Sequence, residues 1–592
     1  MRKFFTVADY VVMHNGVRWD IPNLERVLGI KIKTKCIDSL ALSWYLYPDR
    51  KKKHGLEAWG EEFGIKKPPI TDWTEQPLST YVHRCQEDVK INVRLWKNQW
   101  TKLLAIYRSE KEVFRFLDYL EFKMQCARLA EESGWKVDVE YCEKSLIKLI
   151  EERKEKVDTL TKVMPKVPIV QKKQKPKRLV NKDGALTKMG TSWYELIESQ
   201  SLPKNTEETE IILGYEDGNP NSPHQIKDWL FSLGWKPQTF KTNKKKEEIP
   251  QINLEFGRGI CDSIKDLYEK EPHLDALDGL SVLNHRIPIL QKFLRLRDSN
   301  DEVKARVQGL TNTLRFQHAD PCVNMPKPEK RYAEAVRGSL IAKDGHKLLG
   351  ADMSSLEDRL KQHFIFPLDP EYVRSMIKPD FDPHLTLAVI AGMMTQAESD
   401  FYKKIEHSSD EEKRDLSKED KNLYKKLKTL RGIAKNGNYA LQYGAYPPRL
   451  VKTCGLEIKE AQNLFDSYWK LNWAIKTISS TQKVQKIAGE MWLLNPISGF
   501  YYSLRNQSDI FSTLIQGTAS YVFDMWVKNV LEERRQLTAQ FHDEIVVHIK
   551  DGSEDRMTDL CFRAIHKLNS QLKLNRELDI GVQVGIRYSD IH

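Results

Sequence analysis

The chain has 592 residues, 40% of them hydrophobic and 30% charged, too long for one compact core and enough for about three or four domains. Its 14 Trp, 22 Tyr and 21 Phe can fill sizeable cores, which excludes disorder across the whole chain, and no apolar run approaches the ~20 residues that span a bilayer. The net charge of +11 favours a polyanionic partner such as nucleic acid but also fits a merely soluble basic protein, and eight cysteines without a C-x-x-C pair indicate neither a zinc knuckle nor a disulfide framework. The start, Met1 to Thr6 followed by Asp9, lacks a signal-peptide pattern, so a cytoplasmic protein with no membrane partner is expected.

Residues 1–104 read as a small α/β unit. Tyr10 to His14 is a short apolar strand, and Trp96 to Trp100 lie in a basic helix that closes the unit. From Glu110 the period becomes helical. Cys142, Leu146, Leu149, Ile150, Val157 and Leu160 fall on one stripe, which predicts a helix from about 139 to 163, ended by Pro165 and Pro168. The stretch 162–178 holds Lys162, Lys166, Lys172, Lys173, Lys175, Lys177 and Arg178 and no acid. It reads as a solvated linker or as an exposed loop touching phosphates or a protein partner. A second basic stretch, Lys241 and Lys244 to Lys246, behaves similarly, and Asn219 to Pro223 is a turn starting a helix from Gln225 to Leu233. Residues 397–429 carry nine acids and nine bases with no Gly or Pro, an exposed charged helix pair that reads as an insertion.

Four segments in the second half carry chemistry. Leu348 to Glu357 is an apolar strand that delivers Asp352 and turns into a helix. Phe541 to His548 places Asp543 and Glu544 between apolar residues at the turn of a β-hairpin. A buried carboxylate at a strand end is costly unless paired or bound to metal, so two of them from distant segments suggest a two-metal site. Each alone is a weak signal, because acids at strand ends are common caps. Arg431, Lys435, Tyr439 and Tyr443 recur every four residues on one helix face about 18 Å long. Two cations followed by aromatic rings can hold a triphosphate and cover a base; a surface helix docking its tyrosines on a core fits the same spacing. Finally, His384, within Phe381 to Thr386, could add a phosphate donor, though a lone His is more often structural.

Together these segments resemble family A DNA polymerases, particularly the replicative polymerases of short-tailed, T-odd-type phages. Asp352 to Glu357 matches the palm strand motif, Arg431, Lys435, Tyr439, Tyr443 and Gly444 match R-x3-K-x3-Y-x3-YG, and His542, Asp543 and Glu544 match H-D-E. Arg315 to Pro326 is similar to the family's R-x5-P-N-L-x-x-I-P segment, with Cys322 and Val323 in place of Asn-Leu, and Leu514 to Thr518 is similar to its minor-groove glutamine motif. The resemblance implies an α/β multidomain fold, a right hand with a partial RNase H-like exonuclease domain at 1–104. The thumb would span 105–305 with an insertion near 164–218, the palm 306–365 and 490–592, and the fingers 366–489 with the charged insertion near 397–429. It implies primer extension with dNTPs on a DNA template, as in phage genome replication. Asp352, Asp543 and the Met353 carbonyl would hold two Mg²⁺ ions, with Glu544 and Lys435 also counted in the catalytic set. Arg431, Lys435 and His384 would grip the phosphates, Tyr439 would lie under sugar and base, Tyr443 would close the templating pocket, and Glu357 would block a ribose 2′-hydroxyl. Arg315, Gln516, His542 and Arg337 would hold primer–template DNA.

The N-terminal unit resembles a proofreading 3′→5′ exonuclease. His14 to Asp20 is similar to the second motif, His54 to Gly60 to a segment that follows it, and Arg84 to Asp88 to the third, with Arg84 in place of Tyr and His83 at the spacing of histidine-type relatives. The first-motif Asp-x-Glu is missing, leaving Asp20, His83 and Asp88 and one sheet edge expected to be open. Either the rest of the chain covers that edge or a separate polypeptide completes it; proofreading by the chain alone is expected to be weak or absent. A thioredoxin-like processivity factor on the thumb insertion and a replicative helicase-primase are further partners the resemblance implies. A single-subunit phage RNA polymerase is the competing enzyme reading, opposed by Glu357 and Glu544. A noncatalytic DNA-binding subunit is opposed by the intact acids Asp352 and Asp543.

Overall fold

The first apolar run forms strand β1, Tyr10–Met13, which pairs in parallel with β2, Lys35–Asp38, placing Val11 opposite Cys36 and Met13 opposite Asp38. The computed structural model describes residues 5, 7–70, 72–243, 247–254, 259–442 and 444–591. They fall into two units: Met1–Glu143 with Ile289–Glu329 and Ala333–His592, and Lys144–Pro288 with Lys330–Tyr332. No described helix is long and apolar enough to cross a membrane.

In the first unit, β2 leads through two short helices, Ser39–Leu46 and Leu56–Phe63, to the long helix α1, Leu78–Tyr107, and then α2, Glu110–Ser133, whose N-terminus is capped by Ser109 accepting from the Glu112 N–H. On α2, Val113, Phe116, Leu120, Met124 and Ala127 repeat at spacings of three and four and are buried. They share one core with Val11, Ile37, Leu42 and Tyr45 and with Phe316, Trp492, Phe500 and Tyr502. The N-terminal elements thus share their main core with the rest of the unit, beside a small cluster of their own around Trp59, Ile91 and Leu95. Tyr45 donates its hydroxyl to the Tyr501 carbonyl at 2.7 Å, and Arg18 reaches the Val307 carbonyl at 2.7 Å. Backbone groups along the small sheet are met from within the chain: Glu121 accepts from the Cys36 N–H at 2.9 Å and Asn92 donates to the Val12 carbonyl at 3.3 Å.

Helix α3 spans Val139–Val163, as its apolar stripe predicts. In the second unit the basic stretch is not a linker. Residues Val167–Gln174 form strand β3, antiparallel to β4, Glu208–Glu216, with helix α4, Lys188–Ser199, between them in sequence. Its lysines face acids across the ladder: Lys172 to Glu208 at 3.1 Å, Lys175 to Glu207 at 2.8 Å, and Lys166 to Asp217 at 3.6 Å. Cross-strand charge pairs of this kind stabilise a sheet and remove much of the free positive charge. Helix α5, Pro223–Ser232, follows the predicted turn and is capped by Ser222. Leu160, Ile226, Trp229, Leu230, Trp235 and Leu274 form the unit's core. Lys241 lies in the short strand Phe240–Thr242; Lys244 to Lys246 fall outside the described residues.

The chain re-enters the first unit at Ile289, and after Ala333 comes β5, His346–Met353, then α6, Leu356–Ile365. Helices α7, Pro383–Ile390, α8, Gln396–Glu406, α9, Asp410–Asp415, and α10, Lys418–Gln442, follow. The charged segment thus forms three helices rather than a pair, because capping boxes at Thr395 and Ser409 start α8 and α9 separately. The third runs straight into the segment bearing Arg431, Lys435 and Tyr439. Helices α11, Pro447–Cys454, α12, Ile458–Leu471, and α13, Ile510–Glu533, lead to the hairpin β6, Ala539–Phe541, and β7, Glu544–Lys550, then α14, Glu554–Leu572, and β8, Ile580–Gly585.

Strands β6, β7, β5 and β8, in that order, make an antiparallel sheet. Leu349, Ala351 and Met353 on β5 and Ile545, Val547 and Ile549 on β7 alternate onto one face, packed against Val522, Phe523 and Trp526 of α13 and Leu560 and Ile565 of α14. Period two then turns Asp352 and its register partner Glu544 to the opposite face.

Candidate active site

Asp352 and Asp543 come from segments 191 positions apart that meet at one end of the sheet. Asp352 is the penultimate residue of β5, and Asp543 lies in the two-residue turn between β6 and β7, where its carbonyl accepts from the Met353 N–H at 2.9 Å. A side chain at Gly581, opposite Asp352 on β8, would approach Asp352 Oδ1 to 3.0 Å, so the glycine leaves room for the carboxylate. His542, in the same turn, has a left-handed φ of 45°. Its ring is open to solvent, yet desolvation by the surrounding chain, helped by Arg315, moves its pKa below the ordinary value, while Asp543 and Glu357 pull the other way. Arg315 Nη1 pairs with Glu357 Oε1 at 3.2 Å, and Glu357 is in the first turn of α6. The fold thus gathers Arg315, Glu357, His542 and Asp543 within electrostatic reach of one another.

Among the described residues no three His, Cys, Asp or Glu side chains cluster as a metal site. The donor set nevertheless fits Mg²⁺, a hard ion held through one or two carboxylates with the rest of its shell from water and substrate phosphates. Asp352, Asp543 and the Met353 carbonyl supply that minimum.

Two expected residues sit differently. Glu544, on the sheet face it shares with Asp352, is buried and accepts the Tyr588 hydroxyl at 3.1 Å, whereas Asp543 is exposed. Arg337 is only 3% exposed. Its guanidinium lies 3.5 Å from the Tyr588 ring centroid and donates to the Pro326 and Tyr588 carbonyls, so the expected contact with duplex DNA gives way to a structural role. Gln516 is half-buried on α13.

On α10, Arg431, Lys435 and Tyr439 follow one another at four-residue spacing as predicted, while Ala434, Gly437 and Leu441 turn inward. Tyr443 falls outside the described residues. Arg431 donates from Nε to Asp382 Oδ2 at 2.7 Å, with Nη2 at 2.6 Å from the same oxygen. Oδ1 of Asp382 caps α7, accepting from the His384 and Leu385 N–H groups at 2.8 and 3.0 Å. Burial alone would raise the Asp382 pKa, but the Leu385 N–H and Arg431 overcome it and hold the carboxyl below its ordinary value. One carboxylate therefore fixes both the arginine and the start of the helix bearing His384. Burial pushes the His384 pKa down to about 4, with Arg431 and Lys435 adding and Asp382 opposing. The imidazole is neutral at pH 7. Asn438 Nδ2, a donor only, is 3.3 Å from Nδ1, which leaves the proton on Nε2 as a donor.

Sequence reasoning missed the support beneath the turn. Lys123 Nζ pairs with Asp524 Oδ2 at 2.7 Å, and both residues are buried. Tyr119 donates to the same oxygen at 2.6 Å, and Gln540 Nε2 donates to Asp524 Oδ1 at 2.9 Å. Gln540 lies two residues before His542, and its carbonyl is 2.9 Å from His318 Nε2. Lys123 also sits 4.4 Å above Phe316, next to Arg315. The available signal was a lysine on the apolar stripe of α2.

In the N-terminal unit, Asp20 ends a π-helical turn, Gly16–Asp20, and burial raises its carboxyl pKa. Asp88, on α1, is paired with Lys67 at 2.8 Å, and His83 is exposed one turn earlier, 4.0 Å from Glu87.

The model of the family described as DNA polymerase family A matches residues 195–590. DNA polymerase I of Helicobacter pylori is 23% identical over 353 residues, covering 57% of this chain and 34% of that protein. DNA polymerase I of Pseudomonas aeruginosa is 24% identical over 304 residues, covering 48% and 29%, and the thermostable DNA polymerase I of Thermus filiformis is 21% identical over 292 residues, covering 47% and 31%. The matched part is about a third of the length of these relatives. A solved structure described as the POL domain of Pol1 from M. smegmatis in complex with DNA primer–template and dNTP has a similar fold, at a TM-score of 0.59 and 14% identity, covering 95% of this chain and 84% of that one.

Proposed function

Since the chain belongs to DNA polymerase family A, we propose that it extends a DNA primer with dNTPs on a DNA template. The observation that supports this most is the meeting of Asp352 and Asp543 at one sheet end, with Arg315, Glu357 and His542 around them. In this reading residues 306–365 and 490–592 are the palm and 366–489 the fingers. Residues 105–305 are the thumb, and 1–104 are an exonuclease-like remnant.

Arg431 and Lys435 hold the triphosphate as cations, and His384 donates from Nε2–H as a neutral group. Tyr439 lies under the sugar and base. Arg315, His542 and Gln516 hold the primer–template end. Asp352, Asp543 and the Met353 carbonyl would hold two Mg²⁺ ions, which supply activation of the primer 3′-hydroxyl and neutralisation of the departing charge. The 3′-oxygen attacks the α-phosphorus, the bond to the β-phosphate oxygen breaks, and pyrophosphate leaves. Arg431 leaves Asp382 for the phosphates or shares them with it. Asp382 is thus a positioning group, and Glu544 another, through Tyr588.

Glu357 stands beside the sugar and excludes a 2′-hydroxyl, which favours a DNA over an RNA product. Glu357→Ala should raise the use of rNTPs relative to dNTPs by about 10- to 200-fold, the range for one pocket contact. Primer extension with each nucleotide set measures it, and unchanged selectivity removes the gate role. An enzyme that prefers rNTPs before mutation contradicts the DNA polymerase reading itself.

The phage-type role and the thumb partner extend the proposal. The resemblance of His54 to Gly60 to a segment of the phage enzymes supports genome replication, with a helicase-primase acting ahead. The β3–β4 ribbon, whose lysines are matched by acids, favours a protein processivity factor over a direct DNA clamp. For the remnant, the chain alone should trim a mismatched primer slowly or not at all in Mg²⁺ without dNTPs. Rapid trimming abolished by Asp20→Ala would show a complete exonuclease within the chain.

A further inference from the structure

The charged segment that reads in the sequence as an exposed insertion carries one tyrosine that is not exposed. Tyr402, on α8, is 3% exposed and shares a small core with Leu385 and Ala388 of α7 and Leu427 and Ala434 of α10. Arg431 lies on α10 between the last two, and its Cζ sits over the Tyr402 ring, 5.9 Å from the centroid. The plane of that ring is set from within the same charged segment. Tyr424, in the first half of α10, stacks on it at 5.3 Å with an interplanar angle of 13°, and the Tyr424 hydroxyl donates to Glu406, the last residue of α8.

Arg431 therefore has two neighbours of different kinds. Asp382 holds its Nε and Nη2 through a single oxygen. That hold uses N–H donors, and a triphosphate must compete for them. The face of an aromatic ring attracts a guanidinium through its quadrupole and uses none of the N–H groups, so its hold persists when the phosphates arrive. Resting on the polymerase reading, we propose that Tyr402 is a positioning residue for the incoming triphosphate: its ring keeps the Arg431 guanidinium in place while Asp382 yields the N–H donors to the phosphates. The charged segment then contributes to dNTP binding without touching the nucleotide, and the contribution falls on KM and not on the chemical step.

The test is a dNTP titration in primer extension with Tyr402 replaced in three ways. Tyr402→Phe keeps the ring and should leave KM within about twofold of the unaltered value. Trifluorophenylalanine at position 402 keeps the shape of that phenylalanine but weakens the negative face of its ring, and should raise KM about threefold over Tyr402→Phe with little change in kcat. Tyr402→Leu removes the ring and should raise KM by about five- to tenfold. In an Arg431→Ala background none of the three should move KM further, because the ring acts through the guanidinium. Equal KM values for the phenylalanine and trifluorophenylalanine proteins, or a Tyr402→Leu effect that persists undiminished without Arg431, would overturn the positioning role. The fluorinated pair decides the matter even where Tyr402→Leu fails to fold, since its members differ in ring charge and hardly in volume. Such results in a protein that extends primers leave the polymerase reading standing; an unaltered protein that extends no primer contradicts that reading, and the proposal with it.

Discussion

Asp352→Asn and Asp543→Asn should each slow nucleotide addition by about a thousandfold or more while leaving affinity for primer–template DNA nearly unchanged. The proposal makes each carboxylate an oxygen donor for a hard divalent ion, and the Met353 N–H to Asp543 carbonyl bond ties the two segments together at the turn between β6 and β7. Lewis-acid stabilisation of a phosphoryl transition state is worth several kcal/mol, and 1.4 kcal/mol is tenfold in rate. Duplex affinity, by contrast, is spread over many phosphate contacts elsewhere. Single-turnover extension and equilibrium binding on the same DNA separate the two effects. Addition within tenfold of the unaltered rate would remove the two-metal assignment, whatever happened to binding.

The second large effect is on stability. Lys123→Met leaves the buried Asp524 without its cation, with only the Tyr119 hydroxyl and the Gln540 amide, and should cost about 3–5 kcal/mol. Asp524→Leu alone strands the lysine at a similar cost. The pair changed together, Lys123→Met with Asp524→Leu, should recover most of the loss, because an apolar pair of similar volume carries no desolvation penalty. Thermal melting of the four proteins closes the cycle. Single variants that melt with the unaltered protein would show that the pair carries no such weight. Gln540 joins this node to the catalytic turn, so the double variant, even when stable, should show a larger fall in kcat than rise in KM.

Elements with a purely local signal were legible in the sequence. The α3 stripe predicted Val139–Val163, and the acids between apolar residues at 541–548 predicted the hairpin turn. Four-residue spacing put Arg431, Lys435 and Tyr439 on one helix face. What failed depended on distant partners. The lysines of 162–178 looked like a linker because the acids that pair with them lie 32 to 51 positions on, in β4 and at its two ends. Arg337 looked like a surface cation because its stacking partner is Tyr588, 251 positions later. Asp382 was in view beside His384, and the Pro at the next position marks a helix N-cap, but its grip on Arg431 needed the folded pair of helices. Charge alone suggested an independent helical insertion at 397–429, whereas α10 carries that segment directly into the site.

The central claim is templated DNA synthesis, and the most direct measurement offers each dNTP singly to a recessed primer opposite each of the four templating bases, with Mg²⁺ present. The account predicts addition of the complementary nucleotide in each case, lost in Asp352→Asn and Asp543→Asn. No addition by the unaltered protein, or addition of the same nucleotide whatever the templating base, would contradict it.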